Sequence, residues 1–450
     1  MSVRVGVIGA GLTGLVAALD LIDAGCEVEV FESAPHVGGK IATTEISALT
    51  LPTGPDAFLA RVPQMIELCE RLGLGADLIS PAARDARIFR NGHLHDLPVS
   101  LLGIPTDLDA LASGGLVSAE GVLRASADLV APDDRPGGDE SVGALVRRRL
   151  GDEVLEYVVD PLLGGINAGD SDRLSVLSGV PQIGAARALD HSLIRAAQAM
   201  RARTVDPEAP VFLAPRGGMR AVLAELEARV RAGARVHTST PVLLERSAGG
   251  SWRLGTALFD RVVSAAPAHA PALEAVAPRT TAELGRIEYS SVAMIVMLVP
   301  RLPNAIDRSI SGVLVPRLEA RHMTAVSFAT NKWPHMTDGD AQVLRVSVGR
   351  RTDSRWRELG DESLVATALT DLRSVLGDDV ADPSAVSIMR WIDSLPQYDV
   401  GHGERIDTIE SLVAEEAPGV ALAGAAMRGL GLPACVASGR LGAARILESA

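Results

Sequence analysis

Three glycines near the start of the chain, Gly9, Gly11 and Gly14, separate an apolar segment from an amphipathic one. At such a junction the first glycine allows a sharp turn, the second lets backbone amides approach a pyrophosphate, and the third lets a helix pack closely on a strand. The phosphate charge would lie at the amide-rich N-terminus of a helix that begins near Leu12. Glu32 follows a second apolar segment about 20 residues later, where a carboxylate can accept hydrogen bonds from ribose hydroxyls. The spacing predicts a β-α-β unit that binds an adenine dinucleotide, rather than a glycine-rich turn in an unrelated α/β protein.

Two further glycine segments indicate that this unit is only part of a nucleotide site. Gly38-Gly39-Lys40 forms another turn at which the backbone can approach a phosphate, although such a pair is also common in ordinary loops. Near residue 424 a strand ends, and a glycine-containing loop leads into a helix that starts near Pro433. The N-terminus of that helix could donate amides to a pyrophosphate or to the O2 edge of a flavin ring, or it could be an ordinary proline-initiated helix.

The composition favours a soluble acidic protein of more than one domain. The chain has 450 residues, enough for two or three domains, and its formal net charge of −13 argues against nucleic-acid binding. The three cysteines are far apart, and neither they nor the nine histidines show metal-ligand spacing, so no metal is expected and a reducing compartment is indicated. No signal peptide precedes the first strand, and no apolar run of about 20 residues could span a bilayer, which predicts a cytoplasmic location.

Periodicity divides the chain into segments of different character. Residues 1–60 and the last 35 residues have an α/β pattern, residues 96–205 are rich in Leu and Ala with helical periodicity, and residues 287–349 alternate as antiparallel strands do. The Pro-, Asp- and Gly-rich stretch 131–140 is expected to be a surface loop. Residues 97–116 are interpreted as loop and short helices that cover a hydrophobic surface, with a membrane-facing patch as the alternative.

The predicted fold is α/β, and α+β overall, with domains built from discontinuous segments. A Rossmann-like nucleotide-binding domain is expected from residues 1–60, 207–270 and 386–450, an antiparallel-sheet substrate domain from residues 61–95 and 271–385, and an inserted helical domain from residues 96–206. The nucleotide domain would thus be assembled from the start, the middle and the end of the chain.

Together with APRGGM at 214–219, these segments resemble the glutathione-reductase-like flavoproteins, specifically the monoamine-oxidase-like superfamily. Four stretches are more specific and resemble the oxygen-dependent family that contains protoporphyrinogen oxidase and coproporphyrinogen III oxidase. They are LPTGPDAFL at 51–59, RNGHLHDLP at 90–98, the helical segment 140–175 with its Gly-Gly-Ile-Asn-Ala-Gly-Asp turn, and RWIDSLPQYDVGH at 390–402. The cofactor that this resemblance implies is FAD.

The resemblance implies a set of residues in contact with FAD. They are Gly9, Gly11, Leu12, Thr13 and Gly14 at the pyrophosphate, Glu32 and Ser33 at the ribose, Gly39 and Lys40 along the cofactor, Gly54, Pro55, Asp56 and Ala57 beneath the flavin ring, Val242 at the adenine, Trp391 and Ala425 beside the cofactor, and Leu430, Gly431 and Leu432 at the flavin end. His402, in the Gly-His part of the last signature, is expected to be a structural hydrogen-bonding residue rather than a base.

The same resemblance implies where the substrate lies. The backbone of the turn that begins at Gly164 would approach the reacting carbon, so Gly165 and Ile166 are the predicted catalytic residues. Phe58, Arg61 and Arg87 are the predicted substrate contacts. Some family members place an arginine one position before Arg87, where this chain has an alanine.

The activity that the resemblance implies is oxidation of a porphyrinogen to a porphyrin in haem biosynthesis, with FAD as cofactor, oxygen as acceptor and hydrogen peroxide as product. The lack of targeting or anchoring segments favours coproporphyrinogen III as substrate, with protoporphyrinogen IX as the alternative. An amine oxidase or carotenoid desaturase on the same scaffold stays open, although 3% aromatic residues argues against the aromatic surroundings that an amine oxidase needs. A non-catalytic flavin- or porphyrin-binding module also stays open.

The expected partners follow from this chemistry. They are a porphyrinogen and molecular oxygen, and no nucleic acid. Because the substrate carries several carboxylates, its pocket in this acidic protein should be locally basic, with arginines that bind it. Transient contact with other haem-pathway enzymes and peripheral contact with a membrane are left open.

Overall fold

The computed structural model of the chain describes residues 2–134, 137–203, 209–304, 306–337 and 339–448. Its helices are α1 (Leu12–Asp23), α2 (Gln64–Arg71), α3 (Leu108–Ser113), α4 (Ala119–Ser126), α5 (Val142–Leu150), α6 (Asp152–Val154), α7 (Asp160–Asn167), α8 (Pro181–Leu189), α9 (Leu193–Ala202), α10 (Met219–Gly233), α11 (Pro278–Leu284), α12 (Ala329–Lys332), α13 (Asp361–Leu376), α14 (His402–Glu416) and α15 (Leu432–Glu448). A π-helical turn over Leu155–Val159 continues α6 into α7.

The strands are β1 (Arg4–Ile8), β2 (Glu27–Phe31), β3 (Thr43–Ile46), β4 (Leu49–Pro52), β5 (Phe58–Leu59), β6 (Leu78–Ile79), β7 (Asp85–Arg90), β8 (His93–Asp96), β9 (Ser100–Leu101), β10 (Ile104–Pro105), β11 (Phe212–Pro215), β12 (Ala234–His237), β13 (Leu244–Arg246), β14 (Trp252–Leu254), β15 (Ala257–Phe259), β16 (Arg261–Ser264), β17 (Tyr289–Val299), β18 (Ile310–Leu314), β19 (Met323–Phe328), β20 (Gln342–Val348), β21 (Ala385–Pro396) and β22 (Val420–Leu422). The longest of these strands, β17 and β21, are neighbours in the largest sheet.

Five parallel strands in the order β12-β2-β1-β16-β22 form the nucleotide-binding sheet. The apolar faces of α1, α2, α10 and α15 build one core against this sheet, and the β13-β14-β15 meander packs with α11 and α14 on the other side. Strands β2 and β12 follow β1 on one side of it, and β16 and β22 lie on its other side. The strand order therefore reverses between β1 and β16. Ligands bind beyond the carboxyl ends of the strands at such a point.

Strands from the start, the middle and the end of the chain lie side by side in this sheet, which confirms the predicted α/β fold built from discontinuous segments. The predicted domain boundary between residues 206 and 207 lies outside the described residues, as do residues 135–136 of the predicted surface loop 131–140. The three-domain division stays a prediction.

A seven-stranded sheet ordered β21-β17-β20-β19-β18-β7-β8 stands beside the nucleotide-binding sheet, and all its neighbouring strands are antiparallel except β18 and β7. Side chains along a strand alternate between the two faces of a sheet. One face packs against α13 through residues such as Ile295 and Val346. The opposite face, on which Met294 and Ser347 are paired in register, turns toward α7.

The segments from α3 to α9 form a core of their own, which Ile88 and Leu314 of the seven-stranded sheet join. Residues 97–116 fold into β9, β10 and α3, and their leucines pack on this core as the covering interpretation predicted. Within the described ranges, no helix is both long enough and apolar enough to cross a bilayer.

Candidate active site

The loop from β1 into α1 requires glycine at two of the three predicted positions. Gly9 has a φ of +96°, and a Cβ built on Gly14 would lie only 1.9 Å from the carbonyl oxygen of Gly9. A Cβ on Gly11, by contrast, would meet no atom of another described segment closer than 3.9 Å, at the Cα of Gly39. Gly11 and Gly39 thus lie in backbone contact, because a Cβ built on Gly39 would be 3.3 Å from the Cα of Gly11. This contact borders the N-terminus of α1, whose free N–H groups suit a pyrophosphate.

Glu32 lies half-buried just after β2, with its carboxylate beside this loop. Oε2 accepts a hydrogen bond of 2.7 Å from the backbone N–H of Ala10, and Oε1 accepts one of 2.8 Å from the N–H of Ala34. The exposed hydroxyl of Ser33 donates to Oε1 at 3.3 Å. A carboxylate can accept about four hydrogen bonds, so these amides fix its orientation and leave capacity for a ribose hydroxyl.

The side chains that follow Gly11 and Gly39 pack or form hydrogen bonds within the protein. Leu12 and Thr13 are each 6% exposed, and Oγ1 of Thr13 donates to the carbonyl oxygen of Cys435 at 3.1 Å. Thr13 therefore joins α1 to α15, and only its backbone is free for a phosphate. Lys40 follows Gly39 and is half-buried, and burial lowers the pKa of its ammonium group, opposed by Cys435.

Beyond β4, Asp56 is bound by three side chains from the segment of the chain that contains α12 and β20. We call this group the Asp56 cluster; it consists of Asp56, Lys332, Trp333 and Arg345. Oδ2 of Asp56 accepts hydrogen bonds from Nζ of Lys332 at 2.7 Å and from Nε1 of Trp333 at 3.2 Å. Nη1 of Arg345 lies 3.0 Å from the same oxygen. Burial by itself would raise the pKa of Asp56, but Lys332 and Arg345 outweigh it and hold the pKa well below its usual value.

The cluster fixes the segment predicted to lie beneath the flavin ring. Arg345 donates to the carbonyl oxygen of Gly54 at 2.5 Å, and Nε1 of Trp391 donates to that of Thr53 at 2.9 Å. A Cβ on Gly54 would lie 2.0 Å from the carbonyl oxygen of Lys40. Because the Asp56 carboxylate is engaged within the cluster, the segment that continues through Pro55 and Ala57 offers backbone to a ring above it.

The Pro-Gln-Tyr and Gly-His signature holds the loop before α15. The Tyr398 hydroxyl donates to the carbonyl oxygen of Ala425 and accepts a hydrogen bond of 2.8 Å from the N–H of Gly429. Nε2 of His402 donates to the carbonyl oxygen of Met427 at 2.8 Å, and the Tyr398 and His402 rings stack with centroids 4.1 Å apart. Burial lowers the pKa of His402. This geometry gives His402 the structural hydrogen bond that the sequence predicts.

Leu430, Gly431 and Leu432 lead from that loop into α15 and are all at least partly exposed. The first N–H groups of a helix have no partner within it, so the start of α15 presents donors beside this segment. Val242 and Ala425 are partly buried, each against a different core of the nucleotide-binding sheet.

Helix α7 presents Gly165 and Ile166 to the space above the seven-stranded sheet. Ile166 is 58% exposed, and a Cβ built on Gly165 would lie 3.5 Å from the side chain of Leu314. The buried amide of Gln397 donates a hydrogen bond of 3.0 Å to the carbonyl oxygen of Asn167, the last residue of α7. The signature that holds the loop before α15 therefore also fixes the helix that carries the predicted catalytic residues.

On the face of the sheet toward α7, six uncharged residues are accessible; we call this surface the open face. Its residues are all half-exposed and lie in register across neighbouring strands: Met294, Gly312, Leu314, Ala325, Ser327 and Ser347. Arg345 lies on the same face in register with Ser327, but it is buried in the Asp56 cluster.

The three predicted substrate contacts lie elsewhere. Phe58 is 2% exposed in the core beneath α1 and α2, and Arg61 is exposed beyond β5. Arg87 forms an ion pair of 2.7 Å with an aspartate of β8. Because Ile88 packs against the helical core on the α7 side, strand alternation places Arg87 on the opposite face. The structure does not bring these three side chains to the space beside Gly165.

Comparison with known proteins identifies the family. The family model of flavin-containing amine oxidoreductases matches residues 12–447. The chain belongs to this family. Coproporphyrinogen III oxidase of Bacillus subtilis (strain 168) is 31% identical over 96% of both chains. Coproporphyrinogen III oxidase of Mycobacterium tuberculosis (strain ATCC 25618 / H37Rv) is 33% identical over 98% of this chain and 97% of its own.

A solved structure agrees with these relatives. The crystal structure of a provisionally named protoporphyrinogen oxidase from Exiguobacterium sp. 255-15 has a TM-score of 0.88 and 32% identity, and the match covers 100% of this chain and 99% of that one. The resemblance to the porphyrinogen oxidases seen in the sequence motifs is confirmed.

This member of the flavin-containing amine oxidoreductase family has a site that fits a flavin. Three features lie where the resemblance places the cofactor: the Gly11–Gly39 contact, the oriented carboxylate of Glu32 and the start of α15. Among the described residues, no three His, Cys, Asp or Glu side chains are grouped so that they could hold a metal ion.

Sequence reasoning missed Lys332 and Arg345 of the Asp56 cluster. One signal was available: Lys40 and Lys332 are the only two lysines in the 450-residue sequence, and both lie at the predicted cofactor site. Arg345 gives no such signal, because it is one of three polar residues in its strand and belongs to no motif.

Proposed function

We propose that the chain oxidises coproporphyrinogen III to coproporphyrin III in haem biosynthesis, with FAD as cofactor, oxygen as acceptor and hydrogen peroxide as the second product. The observation that carries this proposal is the uncharged surface that the exposed part of α7 and the open face present together. The exposed Gly165 and Ile166 form one part of it, and the six uncharged residues of the open face form the other. A broad tetrapyrrole can lie on such a surface. The names of the bacterial relatives support the same substrate.

FAD is the flavin that the nucleotide domain favours. Glu32 offers acceptors to a ribose at the end of β2, whereas the start of α15 and the segment from Gly54 to Ala57 lie at the other end of the predicted path. The Gly11–Gly39 contact borders the N-terminus of α1, whose free N–H groups suit the pyrophosphate that joins the two halves of FAD. A flavin mononucleotide has no adenosine and would leave Glu32 without a ligand.

The protein's part in the reaction is to orient the substrate and to exclude water. A bound flavin accepts two electrons in each cycle and passes them to oxygen, and three cycles convert a porphyrinogen into a porphyrin. The backbone at Gly165 and the side chain of Ile166 would contact one surface of the substrate ring, and Met294, Ala325 and Ser347 the other. None of the six open-face side chains is a carboxylate or an imidazole. These residues position the ring without acting as an acid or a base.

Protoporphyrinogen IX is the second candidate substrate, because the Exiguobacterium protein of similar structure carries that name. It has two propionates and two vinyl groups where coproporphyrinogen III has four propionates, so carboxylate recognition distinguishes the two. An amine oxidase is less favoured, since relatives that match nearly the whole chain at 31% and 33% identity carry the name coproporphyrinogen III oxidase.

The test is turnover by the purified flavin-loaded protein in air. We expect porphyrin fluorescence and peroxide, with a higher kcat/KM for coproporphyrinogen III than for protoporphyrinogen IX. The variant Gly165→Val should fill the space beside Leu314 and abolish turnover while flavin stays bound. Gly360→Val is the matched control, because a Cβ there meets nothing within 4 Å among the described residues. Bound flavin without turnover of either porphyrinogen would indicate a binding module, and turnover of amines would contradict the proposal.

A further inference from the structure

Arg350 lies beside α7, the helix that carries the predicted catalytic residues. It follows β20 and lines a cavity together with Gly164, Gly165, Thr324 and Arg317. The cavity therefore adjoins the space in which the proposed substrate lies. Arg350 is half-buried there, at the junction of α7 with the ends of β18 and β19.

The guanidinium of Arg350 has more donors than the protein uses. It carries five N–H groups, and its one hydrogen bond within the described residues goes from Nη2 to the carbonyl oxygen of Val315 at 3.3 Å. No carboxylate in the described part of the chain lies within 4 Å of it. Burial lowers the pKa of Arg350, and the attraction of Asp160 and Asp353 offsets this only in part. A partly buried guanidinium in this position needs a partner.

The acidic groups around the cavity are already engaged. Oδ1 of Asp160 accepts the Ser171 hydroxyl at 2.7 Å, and its Oδ2 lies 3.8 Å from Nε of Arg317. Asp353 accepts a hydrogen bond of 2.5 Å from the guanidinium of Arg355. Arg317 in turn lies between 3.6 and 3.8 Å from three aspartates. Arg317 is thus surrounded by carboxylates, whereas Arg350 has none within 4 Å among the described residues.

We propose that Arg350 binds a carboxylate of the substrate when the substrate ring lies against Gly165. This inference rests on the proposed function and names the group that recognises its charged periphery. An anionic substrate is repelled by a protein of net charge −13 unless a local cation attracts it, and the guanidinium is suited to binding a carboxylate through two parallel hydrogen bonds. Arg350 would supply the basic surface that Arg87, on the opposite face of the sheet, does not supply.

The test compares the flavin-loaded wild type with Arg350→Gln, which keeps a polar side chain but loses the charge, and Arg350→Lys, which keeps the charge. We expect the KM for coproporphyrinogen III to rise in Arg350→Gln by on the order of tenfold to a hundredfold, as for a lost charged hydrogen bond, with kcat within about twofold. Arg350→Lys should recover part of the loss. Arg229→Gln is the matched control, because Arg229 pairs with Glu225 on the exposed surface of α10.

A binding measurement without turnover completes the test. Fluorescence titration should show that Arg350→Gln weakens the binding of coproporphyrin III but leaves the binding of its tetramethyl ester, which has no carboxylates, unchanged. An equal loss for acid and ester, or an unchanged KM in a variant of an active wild type, would overturn the role of Arg350 while the proposed function stands. A wild type that oxidises neither porphyrinogen would overturn both.

Discussion

The side-chain amide of Gln397 and the backbone carbonyl of Asn167 are joined by a hydrogen bond of 3.0 Å. Gln397 is 4% exposed, and its Nε2 also donates to the carbonyl oxygen of Leu395 at 3.0 Å. Asn167 ends α7, and Ala168 after it has a left-handed φ of +46°. One buried amide thus fixes the point at which the chain leaves the helix that presents Gly165.

The variant Gln397→Met, which has a similar length and no donor, should impair turnover more than substrate binding. It leaves the Asn167 carbonyl without its partner, so the free energy of unfolding should fall by about 1–3 kcal/mol. A small displacement of α7 should lower kcat by on the order of tenfold to a hundredfold, with little change in KM. Steady-state kinetics measures kcat and KM, and urea unfolding measures the free energy of unfolding. In the control Gln198→Met, an exposed amide loses its bond to Thr106 and should change neither quantity; a rise in KM alone for Gln397→Met would contradict the positioning role.

Alanine at Gly11 and at Gly14 should separate cofactor binding from folding. Gly11→Ala introduces a Cβ that no described segment approaches within 3.9 Å, so the flavin-free protein should keep its Tm while its FAD affinity falls by on the order of tenfold or more. Gly14→Ala forces a Cβ to 1.9 Å from the Gly9 carbonyl oxygen, so it should lower both the Tm of the flavin-free protein and its affinity for FAD. Thermal unfolding without flavin and titration with FAD measure the two effects. Normal FAD affinity in Gly11→Ala would exclude the backbone beside Gly11 as the pyrophosphate site.

Asp56→Asn should make the protein less stable at neutral pH and less sensitive to acid. Because the pKa of Asp56 is held below its usual value near 3.9, its stabilising contribution is complete above about pH 5 and is lost as the pH falls further. Removing the carboxylate leaves Lys332 and Arg345 without their shared partner, at a cost of about 3 kcal/mol. Urea unfolding between pH 3 and pH 7 should therefore show a steeper acid loss in the wild type.

Asp361→Asn is the control for this comparison, since Asp361 is an exposed carboxylate paired with Arg390. Its curve should follow the wild type within about 0.5 kcal/mol. Parallel curves for Asp56→Asn and the wild type would show that the Asp56 cluster contributes no pH-dependent stability.

Flavin retention should weaken in mild acid through His402. Its pKa is lowered by burial in the folded protein, so the unfolded chain takes up the proton first, and the contribution to stability is complete above about pH 6.5 and decreases as the pH falls below that value. His402→Gln keeps a donor for Met427 and cannot be protonated. Flavin release followed by fluorescence from pH 8 to pH 5 should therefore be less pH-dependent in the variant. The exposed His93 provides the control His93→Gln, and identical pH profiles for all three proteins would contradict this role.

Local patterns predicted the nucleotide-binding unit closely. The spacing of Gly9, Gly11 and Gly14 with Glu32 placed β1, α1 and β2 correctly, because each of these elements is specified by neighbouring residues. The helix expected near Pro433 begins at Leu432 for the same reason. The contacts of the cofactor residues stay predictions, although their backbone geometry fits.

Long-range register could not be read from the sequence. Arg345 reaches Gly54 only because β20 lies beside β17 in the seven-stranded sheet, and no pattern in either strand specifies that neighbour. Arg87 was assigned to the substrate by its position in the chain, but the side of the sheet on which it lies depends on the packing of Ile88 against helices encoded much later. The arginine at the cavity, Arg350, follows a strand and belongs to no motif.

The nucleotide-binding sheet also sets an order of events during synthesis. The glycine loop between β1 and α1 is made first, but α15, which packs against α1 and is predicted to supply donors at the flavin end, is made more than 400 residues later. Until then the apolar surface of α1 that α15 covers is exposed to solvent or to chaperones. Cofactor loading is therefore a late step, and a chain interrupted before β22 would carry the complete glycine fingerprint and still be unable to retain its flavin.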